Sequence, residues 1–549
     1  MLYELRTLKI LSTERSTLST NNSSLLQEAK KRRTFAIISH PDAGKTTLTE
    51  KFLLYGGAIH EAGSIKSRKA RKHAASDWMA IEQERGISVT SSVMRFDYEN
   101  IKYNLLDTPG HKDFSEETLR TLVAADNALM VIDVAKGVEE QTEKLFEVCK
   151  MRQIPIITFV NKCDRIGLSP LDVMSNVEKK LGIRAVPATW PLGAGKEFQG
   201  IYDVQKDELH LYSKKTHGSE KATSRTISLE EGLASVNLSQ NKKDQFEEEV
   251  LLIQDEIKDM DKAAFLDGQI TPVFFGSALN NFGIDLFLDY FSNLSQPPQP
   301  YTASDGKVRG LDQKFSGFIF KLQANMNPAH RDCAAFLRIT SGNFERGKEV
   351  THTSTGKTVR LSTPHTLMGD ERNILQEAYP GDVIALFNPG YFQIGDTLYS
   401  DDPIDFNVIP LFTPEHFMKA STLEPFKRKQ LHEGLKQLAE EGVVHVFEVP
   451  GGVGNELLLG TVEVLQFDVV KHRMDVEYNA DIKMTPVPYH AARWLPDDDK
   501  VIADLKASYS CEVTRDLEEH PIALFRSAYA LQQAEEKVGS DVLFKFKQH

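Results

Sequence analysis

A short loop near the N-terminus has the residues needed to hold phosphate groups. Between the apolar run Thr34–Ile38 and a helix-like segment, the chain reads Ser-His-Pro-Asp-Ala-Gly-Lys-Thr-Thr. This is the pattern G-x-x-x-x-G-K-[ST] with a serine in place of the first glycine. In such a loop the main-chain N–H groups surround a β-phosphate at a helix N-terminus, the lysine neutralises β and γ oxygens, and the hydroxyl after it ligates Mg²⁺. We predict that the whole loop binds nucleotide: Ser39, His40, Pro41, Asp42, Ala43, Gly44, Lys45, Thr46 and Thr47.

A second motif follows the predicted strand Ile101–Leu106 and provides groups for the γ-phosphate. It reads Asp107-Thr108-Pro109-Gly110-His111. A carboxylate at a strand end is placed to hold the shell of Mg²⁺, and the loop around Gly110 is able to approach the γ-phosphate through its N–H. His111 would project beside that phosphate, where an imidazole acts as a catalytic group.

A third motif decides which base is bound. Asn161-Lys162-Cys163-Asp164 ends the predicted strand Ile154–Val160. A carboxylate at Asp164 accepts hydrogen bonds from the N1–H and the exocyclic amine of guanine, which adenine does not offer in that geometry. Asn161 would brace the loop and the stem of Lys162 would cover the ring. After the last strand, Gly276-Ser277-Ala278-Leu279 would add a main-chain N–H to guanine O6. The expected ligands are therefore GTP and GDP, with Mg²⁺.

The segment between the first two motifs has the features of a nucleotide-dependent switch. Glu84-Arg85-Gly86-Ile87-Ser88-Val89-Thr90 lies there, after a basic cluster from Lys66 to His73. A hydroxyl from this segment must complete the Mg²⁺ shell when the γ-phosphate is present. The presence or absence of that phosphate therefore decides whether the loop is ordered.

These motifs need a parallel sheet to position them. From Thr34 to about Pro300 apolar strands alternate with helical stretches, and the motifs follow strand ends, where doubly wound sheets bind ligands. The predicted strands also include Ala128–Asp133 and Pro272–Phe275. A polar stretch over about 195–267 interrupts the pattern, and we interpret it as an inserted surface subdomain. The predicted fold class is thus an α/β P-loop GTPase domain with an insertion, followed by further domains.

Two more domains are predicted after the proline-rich run Gln296–Pro300, which cannot join a helix or a sheet. Short β-rich segments such as Phe318–Leu322 predict a β-barrel, and the helical stripe Leu431, Leu435, Leu438 predicts an α+β domain. The expected division is a disordered leader at 1–29, a GTP-binding domain at 30–300, the β-barrel at 301–408 and the α+β domain at 409–549.

Composition excludes several other classes of protein. With 41% hydrophobic and 26% charged residues and no long apolar run, we expect no membrane association. Four scattered cysteines indicate neither a zinc site nor a disulfide framework and fit a reducing cytoplasm. The net charge of −13 argues against a protein that coats free DNA or RNA, so any RNA contact must be local. We expect a cytoplasmic monomer.

The motifs together resemble those of the translational GTPases. The phrase Glu-Arg-Gly-Ile-Ser at 84–88, followed by Asp-Thr-Pro-Gly-His at 107–111, is similar to the family in which histidine orients the attacking water. The resemblance implies that Thr46 and Ser88 ligate Mg²⁺, that Asp107 lies in its outer shell, and that His111 is catalytic. It also implies an apolar gate formed by Pro41 and Ile87. Ser88 stands where the family has threonine, and Thr90 is a second candidate ligand.

Within that family, Ser-His-Pro-Asp-Ala-Gly-Lys-Thr-Thr and the three-domain length most resemble the class II release factors of bacteria. The resemblance implies a ribosome-stimulated GTPase that promotes dissociation and recycling of class I release factors after peptide release. It implies the ribosome, through local rRNA contacts, and class I factors as partners. The sequence contains no Gly-Gly-Gln, the tripeptide with which class I factors hydrolyse peptidyl-tRNA. We therefore expect no peptidyl-tRNA hydrolysis and no stop-codon reading.

Two other interpretations remain. A divergent translocase-like or ribosome-protection GTPase would need further domains beyond the third. A GTPase subunit that energises sulfate adenylylation would need a second barrel at the C-terminus, which the helical stripes Leu431–Leu438 and Val462–Val469 disfavour.

Overall fold

The computed structural model describes most of the chain. The described residues are 23–59, 92–108, 116–213, 220–256, 260–324, 333–362, 364–368, 371–388, 390–406, 409, 413–422, 424–448, 457–507, 511–539 and 542–544. They form three domains in sequence order, and the predicted class of a multidomain α/β, β-barrel and α+β protein is confirmed.

The N-terminal domain is built from eleven described strands and nine described helices. The strands are β1 Arg32–Ser39, β2 Ser92–Tyr98, β3 Ile101–Asp107, β4 Asn127–Asp133, β5 Ile156–Asn161, β6 Arg184–Pro187, β7 Thr189–Leu192, β8 Gly200–Asp203, β9 Glu208–Tyr212, β10 Ser224–Ser228 and β11 Ile270–Phe275. The helices are α1 (23–30), α2 Lys45–Tyr55, α3 Glu116–Val123, α4 Glu140–Met151, α5 Pro170–Leu181, α6 Leu229–Ser235, α7 Gln240–Glu256, α8 Lys262–Leu266 and α9 Ile284–Leu294.

A seven-stranded sheet with the order β2-β3-β1-β4-β5-β11-β6 forms the centre of this domain. All neighbours pair in parallel except β2 and β3, which form an antiparallel pair. Strands β1, β4, β5 and β11 are buried along their whole length, as continuous apolar strands covered on both faces should be. The sequence did not predict β2 or β6, the strands at the two edges of the sheet.

The helices begin and end where their sequence provides caps. Ser169 accepts a hydrogen bond from the main chain of α5, Pro170 occupies the first turn, and Gly182 ends the helix in the left-handed conformation at φ 63°. Helix α1 contains the end of the predicted leader. Its Ala29 is fully buried and its Glu28 pairs with Arg32 at 2.8 Å, so the expected disorder does not extend to this helix.

The strands of the insertion form a four-stranded sheet with β7, which lies just before the predicted start at about 195. Its order is β10-β9-β8-β7, and it packs with α6 and α7. The predicted helical face Phe246, Val250 and Ile253 is buried on α7. Lys221 at its edge donates to the carbonyl of Tyr55 at 3.0 Å, which attaches the insertion to the end of α2.

The second domain is an antiparallel β-structure. Its strands are β12 Tyr301–Thr302, β13 Val308–Arg309, β14 Ser316–Ala324, β15 Cys333–Ser341, β16 Phe344–Glu345, β17 Lys348–His352, β18 Thr358–Leu361, β19 His365–Met368, β20 Glu371–Ile374, β21 Glu377–Ala378, β22 Val383–Asn388 and β23 Thr397–Tyr399. Eight of them form one sheet, β18-β17-β23-β14-β15-β22-β19-β20, around a single apolar core. We call it the barrel domain.

The C-terminal domain alternates helices and strands. They are β24 His416–Thr422, α10 Arg428–Glu440, β25 His445–Glu448, β26 Leu457–Thr461, α11 Leu465–Val476, β27 Ile482–Pro486, β28 Ala491–Trp494, α12 Asp499–Lys506, β29 Cys511–Arg515, β30 Pro521–Phe525 and α13 Ala528–Val538. A four-stranded sheet packs with α10 and α11, and a three-stranded sheet with α12 and α13. Within the described residues, no helix combines the length and apolarity needed to cross a membrane.

A buried ion pair joins the N-terminal and barrel domains at the edge of the sheet where β1 begins. Arg338 on β15 is fully buried and its Nη2 lies 2.6 Å from Asp126 Oδ2. The same guanidinium donates to the carbonyl of Gly381, which also accepts from the Thr34 hydroxyl at 2.6 Å. Removing one partner from such a network leaves the other charge buried without compensation.

We therefore expect Arg338→Met to lower the free energy of unfolding by about 3–5 kcal/mol, because Asp126 would lose its counter-charge. Denaturant unfolding of the full chain measures this. The matched control is Arg515→Met, since Arg515 pairs with Asp497 at 3.2 Å on the surface and such pairs contribute about 1 kcal/mol or less. Equal losses in the two variants would contradict a structural role for the buried pair.

Candidate functional site

The sheet register brings the predicted motifs to the same end of the sheet, where the carboxyl ends of the strands lie. Asp107 pairs with Ile37, Asn161 pairs with Asp133, and Val160 pairs with Phe275. The carboxyl ends of β1, β3, β4, β5 and β11 therefore lie side by side, and the loops that follow them meet above that end of the sheet.

The phosphate loop connects β1 to α2. Gly44 precedes α2 at φ 97°, and Asp42 adopts φ 66°, a left-handed conformation that short polar side chains tolerate. Among the described residues no side chain caps the start of α2, so its positive end faces the loop, as in anion-binding helix termini. A Cβ at Gly44 would collide with the amide of Asn161, which explains why glycine is needed there.

Lys45 and Asp107 lie together beneath this loop. Lys45 Nζ is 2.9 Å from Asp107 Oδ1 and also donates to the carbonyl of Thr108, and both charged side chains are buried. The Thr108 hydroxyl donates to Ile37 O at 2.6 Å, which fixes the end of β3 against β1. The hydroxyl of Thr46 and the carboxylate of Asp107 are hard oxygen donors, the ligand type that Mg²⁺ prefers.

Asn161 connects three loops with its side chain. Its Nδ2 donates to Ala43 O at 2.9 Å, while its Oδ1 accepts from Lys162 N at 2.8 Å and from Ala278 N at 2.9 Å. The phosphate loop and the two base loops are thus held by one buried amide. The sequence predicted that some main-chain N–H of the loop 276–279 binds guanine O6, and in this structure the N–H of Ala278 donates to Asn161.

Lys162 reaches back over the phosphate loop. Its Nζ lies 2.7 Å from Asp133 Oδ2 and donates to the carbonyl of Asp42. Its backbone is left-handed, with φ 68°. The Nζ atom is therefore held between β4 and the phosphate loop. That the aliphatic stem of Lys162 covers a purine ring stays a prediction.

Asp164 is positioned by the loop after β11. Ser277 is fully buried and its hydroxyl donates to Asp164 Oδ1 at 2.6 Å. Cys163 N donates to Gly276 O at 3.1 Å, and burial raises the pKa of the Cys163 thiol to about 12, so this cysteine is neutral and has a packing role. Leu279, the last predicted residue of this loop, is 37% exposed.

Two acidic residues near the site were not predicted from the sequence. Asp133 holds Lys162, and Glu139 Oε2 lies 3.0 Å from Nε2 of His40. Asp133 was recognisable because it ends a predicted strand, as Asp107 and Asn161 do. Glu139 gave no such signal, because it precedes a helix on the surface and its partner is distant in sequence.

Several predicted residues lie outside the described residues. These are Pro109, Gly110 and His111 of the second motif, and Ile87, Ser88 and Thr90 of the switch segment. Their roles stay predictions. The described part of the site contains the phosphate loop, Asp107, Thr108 and both base loops.

We expect Asn161→Ala to weaken GDP and GTP binding by about tenfold or more, because three side-chain hydrogen bonds are lost, two of which join different loops. Equilibrium titration with a fluorescent GDP measures it. Asn127→Ala is the matched control, since Asn127 is also fully buried and its side chain bonds the main chain of Gln296, at 3.0 and 2.9 Å, at the other end of the strands. A loss of affinity in the control but not in Asn161→Ala would contradict the bracing role.

Comparisons with known sequence families cover all three domains. The family described as the elongation factor Tu GTP binding domain matches residues 30–297, and elongation factor G domain 2 matches residues 314–401. The C-terminal domain of the class II release factor RF3 matches residues 406–535. Together with the nucleotide site at the strand ends, these matches define a translational GTPase that binds guanine nucleotides.

Similar proteins extend along nearly the whole chain. Peptide chain release factor 3 of Gloeothece citriformis is 47% identical over 512 residues, which is 93% of this chain and 95% of that protein. Peptide chain release factor 3 of Symbiobacterium thermophilum is 50% identical over 472 residues, 86% of this chain and 89% of that protein. The chain belongs to the peptide chain release factor 3 family, the class II release factors, and it is a GTPase. A solved crystal structure from Thermus thermophilus shares the fold, with a TM-score of 0.67 and 22% identity over 84% of this chain and 68% of that one.

Proposed function

We propose that the chain uses GTP on the ribosome to promote dissociation of class I release factors after peptide release, and so recycles them. The observation that carries the proposal is the similarity to release factor 3 proteins over nearly the whole length of both chains, including the C-terminal domain. The site supports it, because hydrogen bonds join the two loops that carry the predicted base-binding residues at the strand ends.

We propose the following roles for the site residues. Lys45 binds β- and γ-phosphate oxygens, Asp164 reads the base, and His111 orients the attacking water. Mg²⁺ is ligated by Thr46 and by Ser88 or Thr90, with Asp107 in its outer shell. The oxygen donors at 46 and 107 fit such an ion, which would neutralise charge that develops on the phosphates.

The chain acts, in this proposal, as a cytoplasmic monomer that touches rRNA locally. Its acidic surface disfavours general binding to nucleic acid. We assign 30–300 to GTP binding, 301–408 to the barrel and 409–549 to the C-terminal domain, with an insertion over about 195–267. Such a protein neither reads stop codons nor cleaves peptidyl-tRNA, since no Gly-Gly-Gln is present.

The test is a chase of labelled class I factor from ribosomes whose peptide has been released. Unlabelled factor is added with or without this protein and GTP. We expect the label to be lost faster when the protein and GTP are present. With a non-hydrolysable GTP analogue, the class I factor should still dissociate, but this protein should stay on the ribosome. An unchanged loss rate together with accelerated tRNA movement would favour a translocase-like GTPase.

A further inference from the structure

Helix α3 lies where all three domains meet. It begins at Glu116, shortly after the Asp-Thr-Pro-Gly-His motif in the chain, and it is buried along almost its whole length. Charged side chains on such a buried helix need partners, and those of α3 find them in the other two domains.

The barrel domain holds one side of α3. Lys321 on β14 is 6% exposed, and its Nζ lies 2.9 Å from Oε1 of Glu117. The same ammonium lies 5.6 Å from the centre of the Phe336 ring, so it is enclosed by barrel residues. This contact ties α3 to the domain that follows the nucleotide domain in the chain.

The C-terminal domain holds another side through two residues one turn apart. Glu116 Oε1 lies 3.6 Å from Nε2 of His445, and Arg120 Nη2 donates to the carbonyl of Gly442 at 3.0 Å. Residues four apart share a helix face, so Glu116 and Arg120 together present one face of α3 to the C-terminal domain.

The acceptor of Arg120 lies at the negative end of a helix. Gly442 follows the last residues of α10, and its left-handed backbone, φ 69°, closes that helix. A cation is favoured at such an end because the last carbonyls have no partner within the helix. The carboxylate of the neighbouring Glu441 accepts hydrogen bonds from Nη1 and Nη2 of Arg473 at 3.0 and 3.1 Å. These bonds attach this end of α10 to α11.

Only part of the hydrogen-bonding capacity of the Arg120 guanidinium is used in this position. Arg120 is 3% exposed, and its Nη1 has no hydrogen-bond acceptor among the residues that the structure describes. A buried donor without an acceptor is costly, so the bond to Gly442 leaves part of the hydrogen-bonding capacity of Arg120 unused.

We propose that Arg120 is a positioning residue for GTP hydrolysis. Through its bond to the Gly442 carbonyl, the C-terminal domain sets the position of α3, the helix that follows His111 in the chain. A change in the C-terminal domain then alters the rate of hydrolysis without altering nucleotide affinity. The inference rests on the proposed catalytic role of His111.

The contact is tested from both sides in the full chain. Arg120→Gln removes the charge, and Gly442→Ala places a methyl group against the same guanidinium. Gly182→Ala is the matched control for backbone strain, since Gly182 also ends a helix, at φ 63°, but a Cβ there would meet no atom of the described residues within 4 Å. GDP affinity and GTP turnover at saturating GTP are measured with and without ribosomes, beside His111→Ala.

We expect each variant at Arg120 or Gly442 to turn over GTP about tenfold more slowly, the size of a typical coupling between sites, with GDP affinity within about twofold of the unmodified chain. The double variant should be no slower than the singles, because both remove one contact. Gly182→Ala should keep full turnover.

Three results would overturn the inference: full turnover in both singles, losses that multiply in the double variant, or a parallel loss of GDP affinity. If Arg120→Gln does not fold, Gly442→Ala against Gly182→Ala decides. Undiminished turnover in His111→Ala would instead overturn the proposed role of His111, which separates the two failures.

Discussion

Asp164→Asn should lose GTP and gain xanthosine triphosphate. The carboxylate is positioned by Ser277 at 2.6 Å and would accept from two donors on guanine. An amide there places its NH₂ against the exocyclic amine of guanine, two donors in conflict, whereas xanthine has an oxygen at that position. We expect GTP affinity to fall by about a hundredfold or more, because a charged hydrogen-bonding pair is lost and a donor is left unsatisfied.

Competition binding with the two triphosphates measures the exchange. Asp172→Asn is the matched control, since Asp172 also accepts from a serine hydroxyl, at 2.7 Å, but lies at the start of α5 on the surface. Unchanged GTP affinity in Asp164→Asn would remove this residue from the base site.

His111→Ala should separate binding from chemistry. A group that orients water acts in the transition state, so GDP and GTP affinities should hold while ribosome-stimulated turnover falls by at least about a hundredfold. Single-turnover hydrolysis at saturating GTP measures this. His432→Ala, on the exposed face of α10, is the control and should keep full turnover. Persistent turnover in His111→Ala would mean that another group positions the water.

The strands and nucleotide loops were predictable from the sequence because their signals are local. Buried parallel strands are continuous apolar runs, and each motif lies at the end of a strand, as Asn161 is the last residue of β5. The helical face Leu431, Leu435, Leu438 is likewise buried on α10. Strand β6 was missed because it has only four residues, too few for a pattern to stand out.

Contacts between distant residues could not be predicted from these patterns. Arg338 and Asp126 are buried only because two domains meet, and each alone resembles a surface charge in the sequence. The contact between Arg120 and Gly442 could not be predicted either, because a glycine at position 442 is typical of any helix end. The role of Ser277 as the donor to Asp164 also required the structure, since the sequence assigned that loop only main-chain contacts.

The most direct test measures in one experiment whether nucleotide binding at Asp164 drives the recycling of release factors. Labelled class I factor is bound to ribosomes after peptide release, and its dissociation is followed with the Asp164→Asn variant in the presence of GTP or xanthosine triphosphate. The account predicts fast dissociation with xanthosine triphosphate and only the spontaneous rate with GTP, while the unmodified chain shows the reverse. Dissociation that is equally fast with both triphosphates, or equally slow when the variant is shown to bind xanthosine triphosphate, would contradict it.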